Sequence, residues 1–472
     1  MAVADFPDNV LSPNTNNIKG KTMNATCSEL SGHHFNLQKI IPPRLIKKLT
    51  DRCVRFRIYD PVTTLHCFLY QVLHQASCKA AVSGLNIQRI KAGLKSISMN
   101  TAALTKAKRR LCENTLFKIA KAIGEENDQT GNWKWKGKEV FLVDGTVLNL
   151  EDTKKNKSRY PQAVIKGKPV GQPKLRMLGV FSLFSGSFLD AELGSYSGKG
   201  QGEPTLIKKI IPRFKKGSIL VLDRFFTSFK LQNLFLQAKL EYVIRARDIF
   251  AKKVLHGRSD VVVTMRTTNS GIYVPVSECN VQNGLQVRVI KSSIKRKGFR
   301  VATIYIMTSL LDSKLYQKNE IEELYLKRWC IELDIRHLKV TLNASLLRSK
   351  SPSIIRKELW VHLIGFNIVR KIAGMTSLKY KLALPRAISF KTTLRVFLQA
   401  IMVFGAKKGP EIIFDLLRKE ILKSPYRREP RAIKKRHNRY PFLTCSRKTS
   451  KNEGWGYVRR HGQKGLCAIG AA

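Results

Sequence analysis

The first third of the chain passes from a polar start to apolar residues at helical spacing. Residues 1–38 are polar and rich in Asn, Ser and Gly, which predicts a mobile arm. Residues 39–130 are predicted to form a helical domain, because TTLHCFLYQVLHQ and SMNTAALTKAKRRL both follow helical periodicity. The second segment has a candidate cap at Ser98 or Asn100. The apolar face of the first segment comprises Leu65, Leu69, Val72 and Leu73.

Short strands are predicted after the polar run GEENDQTGNWKWKGK. The strand KEVFLV ends at Asp144, and RMLGVFSLFSG and FLDAELGSYS are two further strands. A helix fits Glu203 to Phe214, and the strand SILVL then ends at Asp223. The helix FKLQNLFLQAKL and the strand EYVIRA complete a mixed α/β order of three strands, helix, strand, helix and strand, within residues 136–350.

The rest of the chain is predicted as a strand-rich insertion followed by helices. Residues 248–312 contain four β-rich segments, VVVTMRTT, YVPVSECNV, LQVRVIKSSI and FRVATIYIMTSL. A long helix begins near Tyr316 and continues past Leu342. Residues 351–425 form a C-terminal helical region, and residues 426–472 are a basic tail. The two helices of this region are predicted at Ile354 to Met375 and Leu394 to Leu422.

Charge adds a partner class to this picture. The chain has 86 Lys and Arg against 33 Asp and Glu, a formal net charge of +53. Self-repulsion on this scale is costly unless a polyanion is bound, so nucleic acid is the expected partner. A ribosome-associated protein and a basic membrane-surface protein are the alternatives. Charge therefore indicates the partner but not the chemistry.

Cysteine spacing and hydropathy indicate the compartment. The nine cysteines form no CxxC pair and have no His at zinc-ligand spacing, which is typical of reduced thiols in a cytosolic compartment. The longest apolar-rich stretch, Phe397 to Ala406, is about half the length of a membrane span. We therefore expect a cytoplasmic protein without a membrane partner.

One predicted helix, in SMNTAALTKAKRRL, has a run of cations. They could reach the phosphates or a groove of DNA, or they could form a solvated helix face. The net charge favours DNA contact, above all for Lys106 and Arg109. The run comprises Lys106, Lys108, Arg109 and Arg110.

The segment ELYLKRWCIELDIRHLK has an unusual polar face. At about 100° per residue, four polar residues of different chemistry fall within an arc of about 60°. They are Tyr325, Arg328, Glu332 and Lys339. An adjoining apolar stripe would hold this helix against a core. The stripe comprises Leu324, Ile331, Ile335, Leu338 and Leu342. Trp329, on the other flank, could pack or touch DNA, and packing is the commoner arrangement.

Three carboxylates could support metal-dependent cleavage of phosphodiesters. Such cleavage needs an available nucleophilic oxygen and a neutralised leaving oxygen, and two divalent ions can supply both. Mg²⁺ prefers hard oxygen ligands and needs few carboxylates. Asp144, Asp223 and Glu332 supply that number. Taken singly, an Asp at a strand end is more often a turn or helix cap, and a helical Glu is usually solvated.

Together these motifs resemble a known family. The DGT run at Asp144, the VLDRFF run around Asp223 and the spacing of Tyr, Arg, Glu and Lys from Tyr325 to Lys339 resemble the bacterial insertion-sequence transposases of family four. Members of that family carry a DDE triad and a Tyr-Arg-Glu-Lys signature at this spacing. The resemblance extends from about Leu65 to the stretch RREPRAIKKRHNRYP, so it covers most of the chain.

The resemblance implies an RNase H-like catalytic domain with a β-rich insertion between the second Asp and the Glu. It implies that Asp144, Asp223 and Glu332 bind two Mg²⁺ ions, for which Mn²⁺ could substitute. Tyr325 and two basic residues, Arg328 and Lys339, would hold phosphates near the transferred end. The implied partners are the element's terminal inverted repeats and target DNA, bound by a dimer on paired ends. Residues 351–425 are the candidate dimer interface.

The resemblance also implies that one protein site performs nicking, terminal hairpin formation and resolution, and strand transfer. Two departures from the family concern hairpin formation and the chain ends. A branch of the family uses a Trp in the insertion to hold a flipped base, and no Trp lies between Asp223 and Trp329 here. The aromatic residues that could stack a base instead are Tyr273, Phe299 and Tyr305. The two chain ends, residues 1–25 and the stretch after SRKTSK, do not resemble the family.

Two further polar residues have open roles. Arg224, directly after the second Asp, could contact phosphate or form a structural salt bridge, whereas His256 in the insertion is expected at the surface. Two rival functions also stay open. One is a non-catalytic DNA-binding product of a degenerate element, and the other is an RNase H-like nuclease that hydrolyses nucleic acid without joining it.

Overall fold

The computed structural model describes residues 43–50, 58–198, 200–267, 273–276, 284–294, 302–381 and 384–423. The predicted polar arm and basic tail lie outside these residues. The helical region that follows the arm is confirmed as five helices, α1 to α5. They span Pro43–Thr50, Pro61–Leu73, Cys78–Lys91, Ala102–Arg110 and Glu113–Gly131.

Polar side chains lie at the starts of the two predicted N-terminal helices, and the N-cap of α4 differs from its prediction. Asp60 caps α2 by accepting hydrogen bonds from the backbone N–H groups of Val62 and Thr63. For α4, Asn100 Oδ1 accepts from the N–H of Ala102 at 2.9 Å, although the N-cap residue itself is Thr101. The four predicted face residues of α2, Leu65 to Leu73, are all buried.

Within the described residues, ten strands form one sheet in the order β5-β4-β1-β6-β7-β11-β10-β8-β9, and β12 pairs with β1. The first five positions hold the five strands predicted before the insertion: an antiparallel β5-β4-β1 meander, then β6 and β7 parallel to β1 and to each other. This is the expected RNase H-like mixed sheet. The strands of this part are Val140–Leu150, Lys174–Ser182, Phe188–Ser195, Ile219–Leu222 and Glu241–Arg245.

The strand β1 differs from its prediction, because it does not end at Asp144. It continues to Leu150, and β4 pairs with it from Phe141 to Asn149. On the other side, β6 pairs only as far as Leu142, and β12 pairs with the last two residues of β1. Among the described residues, the β1 edge from residue 144 to 148 therefore has no strand neighbour on that side.

The predicted β-rich insertion is confirmed. A helix that the sequence did not predict, α9, Asp248–Leu255, precedes its strands. The four predicted strands follow and extend the same sheet outward from β7, instead of forming a separate layer. They are β8 to β11, at Asp260–Thr267, Tyr273–Val276, Leu285–Ile294 and Ala302–Thr308.

Helices cover the sheet. Between β5 and β7 lie α7 and α8, at Glu203–Ile210 and Phe229–Gln237, as predicted, and their apolar residues pack on β1, β4, β6 and β7. Small elements that the sequence did not predict are α6, Lys154–Arg159, and the hairpin of β2 and β3. The hairpin strands are Ala163–Ile165 and Lys168–Val170, and β12 is Leu346–Leu347.

The long helix predicted from Tyr316 past Leu342 is three consecutive segments. They are α10, Lys318–Leu326, then α11, Trp329–Arg336, and a π-helix, His337–Thr341. The turn between α10 and α11 is tightened, since Arg328 N–H donates to the carbonyl of Tyr325, three residues back. Four of the five stripe residues are buried, and Ile335 is partly buried.

The C-terminal helices are α12, Pro352–Lys379, and α13, Phe390–Lys423. Most of α12 is buried, and it packs against α5, α2, β5 and α13. The N-terminal helices and the sheet thus share one core, and the described residues from 43 to 292 and from 304 to 423 belong to one compact unit. Nearly all of the second unit, residues 293–303 and 427–472, lies outside the described residues. Within the described ranges, no helix has the length and apolarity needed to cross a membrane.

Candidate active site

The two predicted aspartates lie on the same side of the sheet beside the open edge of β1. Asp144 projects from β1, and its Oδ1 accepts a hydrogen bond from the N–H of Gly145 at 2.8 Å. Asp223 follows β6, and its Oδ1 accepts from the N–H of Phe225 at 2.8 Å. Burial raises the pKa of Asp144 to about 6; the Gly145 N–H opposes this, and the charge of Asp223 adds to it.

Glu332 joins this centre through Arg328. The guanidinium of Arg328 donates to Glu332 Oε1 at 2.7 Å, and its other terminal nitrogen lies 3.8 Å from Asp144 Oδ2. In the described residues, no three acidic, His or Cys side chains converge as a complete ligand set for an ion. Instead, one guanidinium lies between the first Asp and the Glu of the predicted triad.

The remaining signature residues lie around the same edge. Tyr325 is buried, and burial raises its pKa to about 12 although Arg328 and Arg245 oppose this. Lys339, in the π-helix, donates from Nζ to the backbone carbonyl of Val147 at 3.0 Å. That carbonyl belongs to the open edge of β1, so Lys339 supplies a partner that a neighbouring strand would otherwise provide.

A fourth carboxylate, which the sequence analysis missed, approaches this centre. Glu203 begins α7, and a Cβ atom added to Gly145 would lie 2.0 Å from Glu203 Oε1. Burial raises the pKa of Glu203; Arg176 opposes this, and the charge of Asp223 adds to it. Glu203 was not singled out because a Glu in the first turn of a helix is common. The one sequence signal was Gly145 directly after Asp144, since a glycine leaves room for another side chain to come close.

Two aromatic residues stand exposed beside the acidic residues. Trp329 is 52% exposed, so the expectation that it packs is wrong, and Arg328 lies over its ring at 5.7 Å. Phe225 is 60% exposed and was not singled out from the sequence. Tyr305 is buried in the core and presents no face to a base, whereas Phe299 and the side chain of Tyr273 lie outside the described residues.

The other predicted residues are placed as follows. Arg224 is exposed and forms no ion pair within the described ranges, so the salt-bridge alternative has no support there. His256 is exposed at the end of α9, as expected. Lys106 and Arg109 are exposed on α4.

Lys108 differs from its prediction as a displayed cation, because it is buried. Its Nζ donates to Gln71, lies 3.6 Å from Cys78 Sγ and stands 4.0 Å from the centroid of the Phe68 ring. Burial lowers the pKa of Lys108. Its position in α4, on the same face as Leu104 and Ala107, turns it inward toward α2.

A basic groove runs from the N-terminal helices to the end of β1. Its volume is about 720 Å³, and α4, α6 and the segment between the π-helix and α12 line it. Five exposed cations face it, and we call this set the basic groove. They are Arg109, Lys154, Lys155, Arg348 and Lys350. Glu358, which also lines it, is occupied by the N–H groups of Arg348 and Ser349.

The residues at the acidic centre fit a divalent cation. Their donors are carboxylate oxygens, the ligands that Mg²⁺ and Mn²⁺ prefer. Asp144 and Asp223 are partly buried and close enough for one charge to raise the other's pKa, and a cation would relieve this repulsion. The space over Gly145 holds a further carboxylate, that of Glu203.

Comparisons with known proteins give a domain family, a relative and a solved structure that are similar to this chain. Residues 135–368 match the Transposase DDE domain family. The transposase InsG for insertion sequence element IS4 of Escherichia coli (strain K12) is 26% identical over 354 residues, which cover 72% of this chain and 78% of the relative. A solved piggyBac transposase synaptic complex with hairpin DNA covers 82% of this chain and 81% of its own, at 11% identity and a TM-score of 0.41.

The sheet order, the acidic centre and the domain match define a class, the DDE transposases. Within that class, the signature at Tyr325, Arg328, Glu332 and Lys339 and the likeness to InsG give the family. The chain belongs to the insertion-sequence transposases of family four, the IS4 family.

Proposed function

We propose that this transposase binds the terminal inverted repeats of its own element and cuts and joins DNA with two Mg²⁺ ions, or Mn²⁺ in their place, held by Asp144, Asp223 and Glu332. The observation that carries the proposal is the closeness of Asp223 to Asp144 beside the open edge of β1, with Arg328 between Asp144 and Glu332. When bound, the ions would make a nucleophilic oxygen available and neutralise charge on the leaving oxygen.

The chain's own residues have distinct parts in this reaction. Asp144 and Asp223 are each fixed through one oxygen by a backbone N–H, and the other oxygen would hold an ion. In Asp144 this other oxygen lies 3.8 Å from a terminal nitrogen of Arg328. Glu332, which now accepts from Arg328, would hold an ion as the third carboxylate, and the Arg328 guanidinium would bind phosphate oxygens at two points. Lys339 donates to Val147, three residues after Asp144 in β1, and from there it would be a second phosphate contact. Tyr325 is buried and interacts with Arg328, which it helps to position.

The basic groove extends this site along the DNA. It reaches β12, which pairs with Asn149, five residues and about 16 Å along the strand from Asp144. Five exposed cations in one groove suit a phosphodiester backbone. We assign Arg109 to this contact, and Lys106 and Arg224 to backbone contacts at its margins. DNA held there would lead its terminal phosphate toward the acidic centre.

Strand transfer needs two ends held together, so a dimer on paired ends is part of the proposal, in the bacterial cytoplasm on nucleoid DNA. The buried α12 is occupied within one protomer, which leaves α13, with its exposed Leu416, as the candidate interface of residues 351–425. Light scattering should give one protomer's mass for the free chain and two protomers on a DNA carrying both ends.

Cleavage assays test the catalytic assignment. The purified chain should nick and join DNA carrying its own ends in Mg²⁺ or Mn²⁺. Asp144→Ala, Asp223→Ala and Glu332→Ala should each lose this activity while retaining gel-shift binding of the ends. Asp152→Ala, at a carboxylate that is 51% exposed, serves as the control.

Each rival function has its own outcome in this assay. Normal cutting by Glu332→Ala would refute the metal assignment. End binding without cleavage by the unaltered chain in either metal would indicate a non-catalytic binder. Cleavage without joined product would indicate a nuclease.

A further inference from the structure

Glu203 reaches the acidic centre from the face of the sheet opposite Asp144. Successive side chains of a strand point to opposite faces, so Asp144 and residue 145 face different ways. The face of residue 145 is the one that Phe141 and Val143 share with α7. The carboxylate of Glu203, in the first turn of α7, lies directly over it.

Gly145 makes this approach possible. A Cβ atom there would lie 2.0 Å from Oε1, 2.2 Å from Cδ and 2.8 Å from Cγ of Glu203, so any other residue would displace the carboxylate. The backbone of Gly145 is not in the left-handed region, so no special conformation requires glycine. Space for the neighbouring carboxylate is the remaining physical reason for glycine directly after the first Asp.

The carboxylate of Glu203 is attracted by the charge of Arg176, but no direct contact holds it in position. Within the described residues it forms no hydrogen bond and no ion pair, unlike Glu192 on the adjacent β5, which pairs with Arg213 and Lys209. A Glu that only complemented the helix dipole could remain in solvent. This one is instead partly buried over the strand of Asp144.

The open edge of β1 connects the two faces. Because β6 ends at Leu222 and pairs only as far as Leu142 of β1, no described strand separates Gly145 from the space beside Asp223. A group over Gly145 can therefore act on the same space as Asp144, from the other side of the strand.

We propose that Glu203 is a fourth carboxylate of the metal site, which contributes an oxygen ligand, directly or through a bound water, to a divalent ion held by Asp144 and Asp223. This inference rests on the proposed function. It adds a ligand that the three-residue triad does not include, and it explains why Gly145 follows Asp144.

Metal binding by the full chain, without DNA, tests the proposal. Free Mn²⁺ is measured by electron paramagnetic resonance during titration. Glu203→Gln should weaken Mn²⁺ affinity by about tenfold or more, as expected for loss of a ligand or of a group that orients one. Glu203→Asp keeps the charge but cannot reach across Gly145, so it should weaken binding nearly as much. Glu126→Gln, at a carboxylate that is 48% exposed on α5, should bind as the unaltered chain does.

Thermal unfolding separates a ligand from a structural residue. Without metal, Glu203→Gln should unfold at the same temperature as the unaltered chain or a higher one, because an unpaired carboxylate near two aspartates is removed. Added Mn²⁺ should raise that temperature less than in the unaltered chain. A lower metal-free unfolding temperature with unchanged Mn²⁺ affinity would overturn the proposal.

The failures of the two proposals differ. If Asp144→Ala loses Mn²⁺ binding but both Glu203 variants bind normally, Glu203 is not a ligand and the triad stands. If Asp144→Ala also binds Mn²⁺ normally, the metal site of the proposed function is itself wrong.

Discussion

The carboxyl group of Asp144 lies where ionisation is costly without a cation. Its side chain is 22% exposed, one oxygen accepts from the Gly145 N–H, and Asp223 is close by. The pKa of about 6 in the folded chain compares with about 3.9 in an unfolded one. The folded state therefore holds a proton that the unfolded state releases between these two pH values, so stability falls as pH rises through that window.

Asp144→Asn should stabilise the metal-free protein at neutral pH, since the amide keeps the acceptor for Gly145 and carries no charge. A shift of about two units corresponds to at most about 3 kcal/mol in the free energy of unfolding above pH 6. The gain should shrink toward zero as pH falls to about 4, where the aspartate is protonated in both states. Urea unfolding with a chelator, at about pH 7.5 and about pH 5, measures the difference.

The matched control is Asp152→Asn, at a carboxylate 51% exposed in a surface pair with Lys157. It should change stability by less than about 1 kcal/mol at either pH. A variant at Asp144 that is no more stable than the unaltered chain at about pH 7.5 would contradict the raised pKa.

Single residues mark the limit of sequence reasoning. Asp144, Asp223 and Glu332 could be singled out because the short motifs around them together resemble a known family, although β1 does not end at Asp144 as predicted. The approach of Glu203 to Gly145 could not, since it depends on how α7 packs on β1 across more than fifty residues of chain. Lys108 was misplaced for a similar reason, because its burial depends on where α2 lies.

At the scale of elements, α11 holds Glu332 on a rigid support. Two residues after Glu332, Asp334 is fully buried between two arginines. Arg370 of α12 donates to it at 2.7 Å, and Arg386, between α12 and α13, donates at 2.6 and 3.0 Å. The helix that presents the third triad carboxylate is therefore tied to the central helix of the fold.

Asp334→Ala should destabilise the protein by about 3–5 kcal/mol, because it leaves two arginine charges buried without their partner. The free energy of unfolding in urea measures this loss. Asp152→Ala, which removes an exposed pair with Lys157, should cost no more than about 1 kcal/mol. Equal losses for the two variants would show that the buried pairs do not anchor α11.

Local sequence patterns predicted most helices and strands closely. They failed where contacts with distant parts of the chain set the bounds of an element. The strands of the insertion and the helices α7, α8, α12 and α13 lie where periodicity predicted them. The polar run at Asp144 ended the predicted β1 too early, because β4 pairs along its whole length. The π-helix around Lys339 has no signal in apolar spacing, since it adds only a local widening of a helical turn.

At the scale of the whole molecule, charge is abundant and its placement decides function. With a formal net charge of +53, most surfaces attract DNA weakly. The basic groove is distinct because its cations converge from α4, α6 and the segment before α12. Contacts in the groove should therefore contribute more to end binding than equal charges elsewhere.

Lys154→Gln with Lys155→Gln should weaken end binding by about tenfold or more at moderate salt. The slope of log K against log salt should become shallower by about 2, as two phosphate contacts are lost. Both lysines lie in the first turn of α6, where positive charge opposes the helix dipole, so the helix should not be destabilised. Gel shifts across a salt series measure both quantities.

The matched control removes two charges elsewhere. Lys252→Gln with Lys253→Gln changes an exposed pair in α9 by the same net charge. If this pair weakens end binding as much as the groove pair, net charge alone governs affinity and the groove has no special part.

The burial of α12 between the N-terminal helices and the sheet has a consequence for how such an enzyme can diversify. Because α2 and α5 complete the core around that helix, they cannot be exchanged as a cassette without exposing its apolar surface. If these helices take part in the end binding proposed above, a new end specificity must therefore arise through substitutions at solvent-facing positions of existing helices. Whole recognition modules can be shuffled where linkers join separate domains. This architecture does not allow it, because the helices belong to the shared core.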